Sequence, residues 1–407
     1  MNLPIRPILS ALLRNRTGAI LVAIQIAITL AVLVNAVYIV KQRVDRINRP
    51  TGLDLENIFA ISANGFARDY DHAATLRDDL DYLRRIPGVI GAIATTAAPL
   101  SDSGSSQAMV SRPRDADSNF DYEFGDGNIF EVDEQGVQTL GTRIIAGRNF
   151  RADEILPVSP GVSAVPSVIV TQSYANRLFP NENALGRTVY DYLNRPRTII
   201  GIMENMHGSW PTVDHPDRLY LVPRLPEGPR LTYLVRTQPG QRDMIMRRVE
   251  QELGPANPHR AVRWVRSLEQ LKAETYMRDR NTGIFLTAVT VLLLAITSLG
   301  IFGLATFNVN TRTRQVGTRR AIGARRLDIV AHFMVENWLI TTAGIFAGCA
   351  AALGVGHWLS MQYEFPRLDL YYLVGGVLGL WLLGLAAAWQ PARRAARISP
   401  AVATRTI

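Results

Sequence analysis

The side chains in this sequence that could do chemistry are few, and their spacing excludes more than it permits. Lysine occurs only as Lys41 and Lys272, and neither follows the GxxxxGK[ST] pattern that wraps nucleotide phosphates and sets an amine against them. A P-loop ATPase within these residues is therefore excluded. The histidines, His72, His207, His215, His259, His332 and His357, form no HExxH and no close ligand trio. His207, Asp214 and His215 are near enough in sequence to meet at a metal, but their setting reads as surface loop. Gly104-Ser105 and Gly208-Ser209 lack the GxSxG elbow of a nucleophilic serine. The single cysteine, Cys349, excludes intramolecular disulfides and multi-cysteine metal sites, and its apolar neighbours mark it as a small buried residue. The chain is expected to have no catalytic centre and to bind no metal or cofactor itself.

One acid stands out by its surroundings. Glu336 follows Asp328 by eight residues, about 12 Å along a continuous helix, and precedes an uncharged stretch from Asn337 to Tyr363. An acid at that depth in a membrane helix faces protein or water. Two readings stand side by side: a contact that stabilises a helix bundle or its gate, or a headgroup-level acid paired with Arg325 or Arg326.

The elements that must position such residues are set by segregated hydrophobicity. Apolar residues make up 47% of the 407, an ordinary share, yet they concentrate in long runs at the two ends. Thr17–Val40 is uncharged for 24 residues, about 36 Å of helix against a hydrocarbon core of roughly 30 Å. It is too long for a signal peptide and runs into Lys41 with no small-residue cleavage site. Gly283–Asn310, a stretch from Ile329 past Glu336, and Leu370–Gln390 complete four spans, with Pro391 expected to end the last. Small residues in the third, Gly344 and Gly348 among them, permit close helix approach in lipid.

Charge orients the spans. Arg6, Arg14 and Arg16; then Arg312, Arg314, Arg319, Arg320, Arg325 and Arg326; then Arg393, Arg394, Arg397 and Arg405 form three segments without an acid. Together they outnumber the whole chain's net charge of +9. Each borders an apolar run, which is a positive-inside pattern and not a nucleic-acid footprint. The expected order is a cytoplasmic amphipathic segment 1–16, a first span 17–41, an extracytoplasmic domain 42–282, and a second span 283–310. A cytoplasmic segment 311–328, a third span 329–358, an external loop 359–369, a fourth span 370–390 and a cytoplasmic tail 391–407 follow. Both termini are then cytoplasmic. Lys41, Arg43, Arg46 and Arg49 fall on the opposite side, where the bias is weak for a long translocated domain.

The external domain reads as α/β. Residues 57–97 run strand, helix, strand, with Pro87-Gly88 breaking the helix; Leu231–Thr237, Arg242–Leu253 and Ala261–Leu268 repeat the order. Two βαβ-like units at opposite ends of one domain are expected to fold together as a ferredoxin-like body. Between them, 99–128 is Ser/Asp/Gly-rich, Val168–Phe179 reads as strand into helix, and a strand-rich subdomain is expected. Residues 269–282 are expected to form a helix leading directly into the second span.

The block Thr311–Gly348, TRTRQVGTRRAIGARRLDIVAHFMVENWLITTAGIFAG, resembles the permease domain of MacB/FtsX-like ABC transporters. Gly317, Arg319, Arg320, Ala321, Gly323, Ala324 and Glu336 match that family's pattern. PARRAARISPAVATR, Pro391–Arg405, is similar to its ending, and Gly147–Phe150, Val168–Val189 and Ile199–Met203 look like pieces of its external domain. The resemblance implies that 313–327 is a short cytoplasmic helix docking on an ATPase, with Arg314, Gly317, Arg319, Arg320, Ala321, Gly323 and Ala324 as coupling residues. It implies structural or gating roles for Glu336, Gly344 and Gly348. It also implies a bacterial inner membrane protein, a separate cytoplasmic ATPase dimer bringing ATP and Mg, and a second permease chain, identical or homologous. A periplasmic adaptor and an outer-membrane channel belong to the same expectation.

Two departures matter. Gln315-Val316 stands where the family carries Glu-Ile, so an acid of the coupling segment is missing. The chain also starts almost at the membrane, whereas MacB has a fused ATPase, so a form without that domain is expected. The implied activity is ATP-driven motion of the external domain for export or extraction of a substrate. The alternatives are an FtsX-like regulator of a cell-wall hydrolase and an extracytoplasmic sensor.

Overall fold

The computed structural model describes residues 16–113, 126–157, 165–363 and 368–398. The expected amphipathic segment before Arg16, the tail beyond Ile398 including Arg405, residues 364–367 of the external loop and 114–125 of the Ser/Asp/Gly-rich stretch lie outside the described residues. The chain divides into two compact units, Arg49–Arg278 and the helical segments on either side of it.

In chain order, α1 (Arg16–Ile47) precedes β1 (Ile58–Gly65), α2 (His72–Arg85), β2 (Val89–Thr95), β3 (Ser105–Ser106), β4 (Asn128–Val132), α3 (Gly136–Thr139) and β5 (Ile144–Gly147). Then come β6 (Ser167–Thr171), α4 (Gln172–Leu178), β7 (Thr188–Tyr190), β8 (Pro196–Met203), β9 (Leu219–Pro223), β10 (Arg230–Thr237), α5 (Arg242–Ala256), β11 (Arg260–Ser267) and α6 (Leu268–Thr275). The chain continues through α7 (Met277–Thr311), α8 (Thr313–Ala321), α9 (Arg326–Tyr363) and α10 (Leu370–Ala396).

Within Arg49–Arg278, one sheet has the order β11-β1-β10-β2 with every neighbouring pair antiparallel. β10 lies between β1 and β2, so the two strand–helix–strand segments interleave in one sheet. A second, seven-stranded sheet runs β3-β4-β9-β6-β8-β5, with β7 also on β8; β4–β9 and β6–β8 are parallel. Alternation along the strands builds the layers. Ile58, Ala60 and Leu234 of the first sheet meet Phe130, Ile169, Leu219 and Leu221 of the second in a shared core. Phe59, Ile61, Tyr233 and Val235 turn the other way, onto Leu76, Leu80 and Leu83 of α2 and Ile245 and Val249 of α5. Val168, Val170, Tyr220 and Val222 pack with Tyr174 and Leu178 of α4. The central strands β1, β10, β6 and β9 are thus buried on both faces, which explains their near-continuous apolar runs.

Local signals set the ends of these elements. The Asp71 side chain accepts a hydrogen bond from the Ala74 amide at 2.9 Å to start α2. Gly88, at φ +93°, supplies the left-handed residue that turns the chain into β2. Ser267 and Gln270 exchange hydrogen bonds at 3.1 and 2.9 Å, a capping box that starts α6. The helix expected over 269–282, leading directly into the second span, divides at Tyr276 into α6 and α7. Its ring is buried in the domain, and its hydroxyl donates to the Pro211 carbonyl at 3.0 Å.

His207 corrects another expectation: it is 5% exposed, not a surface residue, whereas Asp214 and His215 are exposed. Burial is the leading cause that pulls its pKa down to about 4, Arg49 and Lys272 adding to it and Asp217 opposing. The neutral form is the folded one. Stability linked to His207 is therefore full above the unfolded value of about 6.5 and falls as pH drops toward 4, by about 3 kcal/mol in all. Thermal unfolding of the full chain and of His207→Gln between pH 7 and 4 checks this: their difference should change by that amount. A constant difference would refute it.

Four helices, α1, α7, α9 and α10, are long and apolar enough to cross a membrane. Pro391 does not end the fourth; it lies inside α10, which continues to Ala396. A proline removes one amide and crowds the carbonyl four residues earlier. Burial offsets that cost here, because Ala392, Ala395 and Ala396 pack with Val309, Val316, Ile329 and Phe333.

Candidate functional site

The residues expected to couple lie on a segment with an inward and an outward side. α8 buries Val316 and Gly317 and leaves Arg314, Gln315, Arg319 and Ala321 exposed. Arg320 points inward: its Nη1 donates to the Ala396 carbonyl at 3.3 Å and the Ile398 carbonyl at 2.6 Å. Those carbonyls end α10, so a cation meets the negative end of the helix dipole. Arg320 therefore ties α8 to the end of α10. Half-buried Ala324 packs on the same cluster as Val316.

The turn after α8 depends on Gly323. Its φ is +103°, and a Cβ there would meet nothing within 4 Å. Glycine is required for backbone conformation alone. On either side of it Ile322 is 82% exposed and Leu327 76% exposed. The amide of Arg325 donates to the Asp328 carboxylate at 3.0 Å, fixing the start of α9. The outward side thus combines two apolar side chains with Arg314 and Arg319.

Behind this surface sits Glu336, 2% exposed. Neither sequence neighbour pairs with it. Its Oε2 accepts from Arg312 Nη1 at 2.9 Å and its Oε1 from Asn308 Nδ2 at 3.4 Å, both at the end of α7. Next to it in sequence, Asn337 donates through Nδ2 to the Gly384 carbonyl of α10 at 2.9 Å. These contacts join α7, α9 and α10 just before the chain enters α8. Glu336 thus bridges α9 to the end of α7, and neither Arg325 nor Arg326 is its partner. A small cleft lined by Asn308, Phe333, Glu336 and Ala388 adjoins it, with room for about one water.

Gly344 and Gly348 lie where α9 crosses α1. A Cβ on Gly344 would stand 2.7 Å from the Ala23 carbonyl oxygen, and one on Gly348 would stand 3.0 Å from the Cα of Ala27. The backbones touch, and Asn35 of α1 donates to the Ala352 carbonyl of α9 at 3.3 Å further along. The extracytoplasmic end of α1 is paired to the start of α7 by Arg43 and Asp279.

The expected site residues therefore separate. Arg320, Ala324 and Glu336 face inward, and Arg314, Arg319 and Ala321 face outward. Sequence reasoning missed Asn308, Arg312, Ile322 and Leu327. Asn308 and Arg312 are four residues apart, hence on one helix face, and that spacing was the available signal. Among the described residues, no group of three His, Cys, Asp or Glu side chains could hold a metal ion.

With this arrangement in hand, the family follows from matching family models. A family model described as MacB-like periplasmic core domain matches residues 17–252, more than half of the chain, and one described as FtsX-like permease C-terminal matches 287–400. The macrolide export ATP-binding/permease protein MacB of Campylobacter jejuni (strain 81-176) is 28% identical over 281 residues, covering 64% of this chain and 41% of that protein. The probable syringafactin export ATP-binding/permease protein SyfD of Pseudomonas syringae pv. syringae is 24% identical over 274 residues, covering 65% and 40%. The crystal structure of the periplasmic region of MacB from Actinobacillus actinomycetemcomitans aligns with 56% of this chain and 97% of that chain, at 16% identity and a TM-score of 0.35. The chain spans about two-fifths of the length of these two export proteins (41% and 40%). It is a multi-pass membrane protein with a large extracytoplasmic mixed β-sheet domain, and it belongs to the MacB/FtsX-like permease family.

Proposed function

We propose that this chain is the permease half of an ATP-driven machine that moves its external domain to export or extract a substrate. ATP and Mg act through a partner, since these 407 residues contain no phosphate-binding lysine motif while the relatives' names join ATP binding to permease. The proposed partners are a separate cytoplasmic ATPase dimer and a second permease chain, with an adaptor and an outer-membrane channel completing an export route. We read residues 42–282 as the moving external domain and 311–328 as the coupling segment. The four-stranded sheet with its two helices is read as ferredoxin-like, from its strand order and antiparallel pairing.

The observation that carries the proposal is the two-sided α8. Outward, Arg314 and Arg319 on α8 and Ile322 and Leu327 just beyond it are exposed, a mix of basic and apolar side chains of the composition used by protein-docking surfaces. Inward, Arg320 and Val316 tie the same helix to α10 and α9. A push on the outside is therefore delivered to the membrane helices. Gln315, exposed beside Arg314, leaves the contact one acid short, so the ATPase surface it meets is expected to be predominantly acidic.

Gly323→Val tests this reading. Valine at φ +103° is strained by about 1–3 kcal/mol, with no crowding to confuse the result. The full chain should still fold and co-purify its ATPase, but stimulation of ATP turnover should fall at least tenfold. Gly323→Asn, which tolerates positive φ better, should lose less. Undiminished stimulation in the valine variant, or no ATPase co-purifying with the unaltered chain, would overturn the proposal.

A further inference from the structure

We infer that the cytoplasmic end of α10 is a docking surface for anionic phospholipid headgroups. One face of this helix changes character in the order that a membrane leaflet does. Leu378 is 52% exposed, Leu382 69% and Trp389 48%; Ala386, Arg393 and Arg397 are also exposed. Their spacing of three or four residues puts them in a single stripe. From Leu382 to Arg393 the helix rises about 16 Å, close to half of a hydrocarbon core of roughly 30 Å. Aliphatic side chains thus stand at acyl depth, an indole at the interface and guanidinium groups at the level of phosphate.

The opposite face is already occupied. Leu380, Ala388, Ala392 and Ala395 are each at most 1% exposed, packed within the bundle. The exposed stripe is therefore the face of α10 that the described bundle leaves uncovered. Its cations are uncompensated: no acid occurs from Pro391 to Ile407. Among the described residues, Arg393, Arg394 and Arg397 form no ion pair, and Arg393 lies 5.3 Å from the Trp389 ring centroid. Guanidinium groups make forked hydrogen bonds to phosphate, and near an anionic leaflet each contributes attraction that a zwitterionic lipid does not supply.

The position gives the lipid a consequence. Arg320 ends on the carbonyls of Ala396 and Ile398, within the turn that carries Arg393 and Arg397. Whatever orders that turn also orders α8.

The test uses the full chain in detergent micelles, titrated in parallel with phosphatidylglycerol and phosphatidylcholine, with bound lipid read by native mass spectrometry. The unaltered chain should retain phosphatidylglycerol in preference. At about 1 kcal/mol for each arginine, the triple variant Arg393→Gln/Arg394→Gln/Arg397→Gln should lose roughly 100-fold in affinity for it. The corresponding triple change to lysine should keep most of that affinity. If the glutamine triple does not fold, Arg393→Gln and Arg397→Gln alone should each lose roughly fivefold. Equal retention of the two lipids by the unaltered chain, or retention unchanged by the glutamine substitutions, overturns the inference.

Discussion

Arg312→Met is expected to lower the unfolding free energy of the membrane bundle by about 3 kcal/mol, and adding Glu336→Leu is expected to restore most of it. The Glu336 side chain is only 3% exposed, so removing its partner strands a carboxylate among Phe333, Ile340 and Ala388. Breaking such a pair costs about 3–5 kcal/mol, whereas replacing both members by apolar groups is often neutral. The lower end applies here because a membrane-inserted unfolded chain also finds polar partners. Glu336→Leu alone should cost less, since Arg312 is 19% exposed and can turn to water. Unfolding of the full chain in mixed micelles, followed by circular dichroism, gives all four corners of the cycle. Additive single effects would mean that the pair is not the unit that joins α7 to α9.

Gly344→Leu is expected to prevent α9 from seating on α1 and to give little folded protein. Even Gly344→Ala places its methyl within 2.7 Å of the Ala23 oxygen and 2.8 Å of the Ile26 Cβ. Neither can move without displacing α1. Overpacking of this kind costs about 1–3 kcal/mol, more than the ~1 kcal/mol that alanine gains over glycine in helix propensity. Gly379 is the internal control: a Cβ there meets nothing within 4 Å, so Gly379→Ala should be neutral or slightly stabilising. The midpoint of thermal unfolding should fall for Gly344→Ala and stay level or rise slightly for Gly379→Ala. If Gly344→Ala matches Gly379→Ala, the close α1–α9 contact is absent in the membrane.

The parts of this fold that were legible share one property, a signal contained in a single element. Twenty-odd uncharged residues from Thr17 demand a membrane helix by length alone, and Pro87-Gly88 ends a helix wherever it packs. Strand pairing is not local. Nothing in Leu231–Thr237 says that it lies between β1 and β2, because the choice depends on which faces the whole domain buries. Pro391 misled for a related reason. Propensity argued for a stop, and packing of Ala392, Ala395 and Ala396 overrode it.

The site divides in the same way. A run of arginines announced a basic cytoplasmic turn, but not which of them turn inward. Arg325 and Arg326 are nearer to Glu336 in sequence than Arg312. They stand ten or more residues back along the same helix, about 15 Å away, whereas α7 delivers Arg312 from the side. Arg320 was grouped with its neighbour Arg319 by type, and only the end of α10 distinguishes them. The outward Ile322 and Leu327 carried no signal beyond being apolar in a polar segment.

The account rests on the α8 surface and the Arg49–Arg278 domain lying on opposite sides of one membrane. In a Cys349→Ser background, Ile322→Cys and Tyr192→Cys place single thiols at sites 82% and 49% exposed, one beside Gly323 and one on the β-sheet domain. Intact spheroplasts treated with a membrane-impermeant maleimide should label position 192 at once and position 322 only after the membrane is permeabilised. Labelling of both positions in intact spheroplasts would contradict the account.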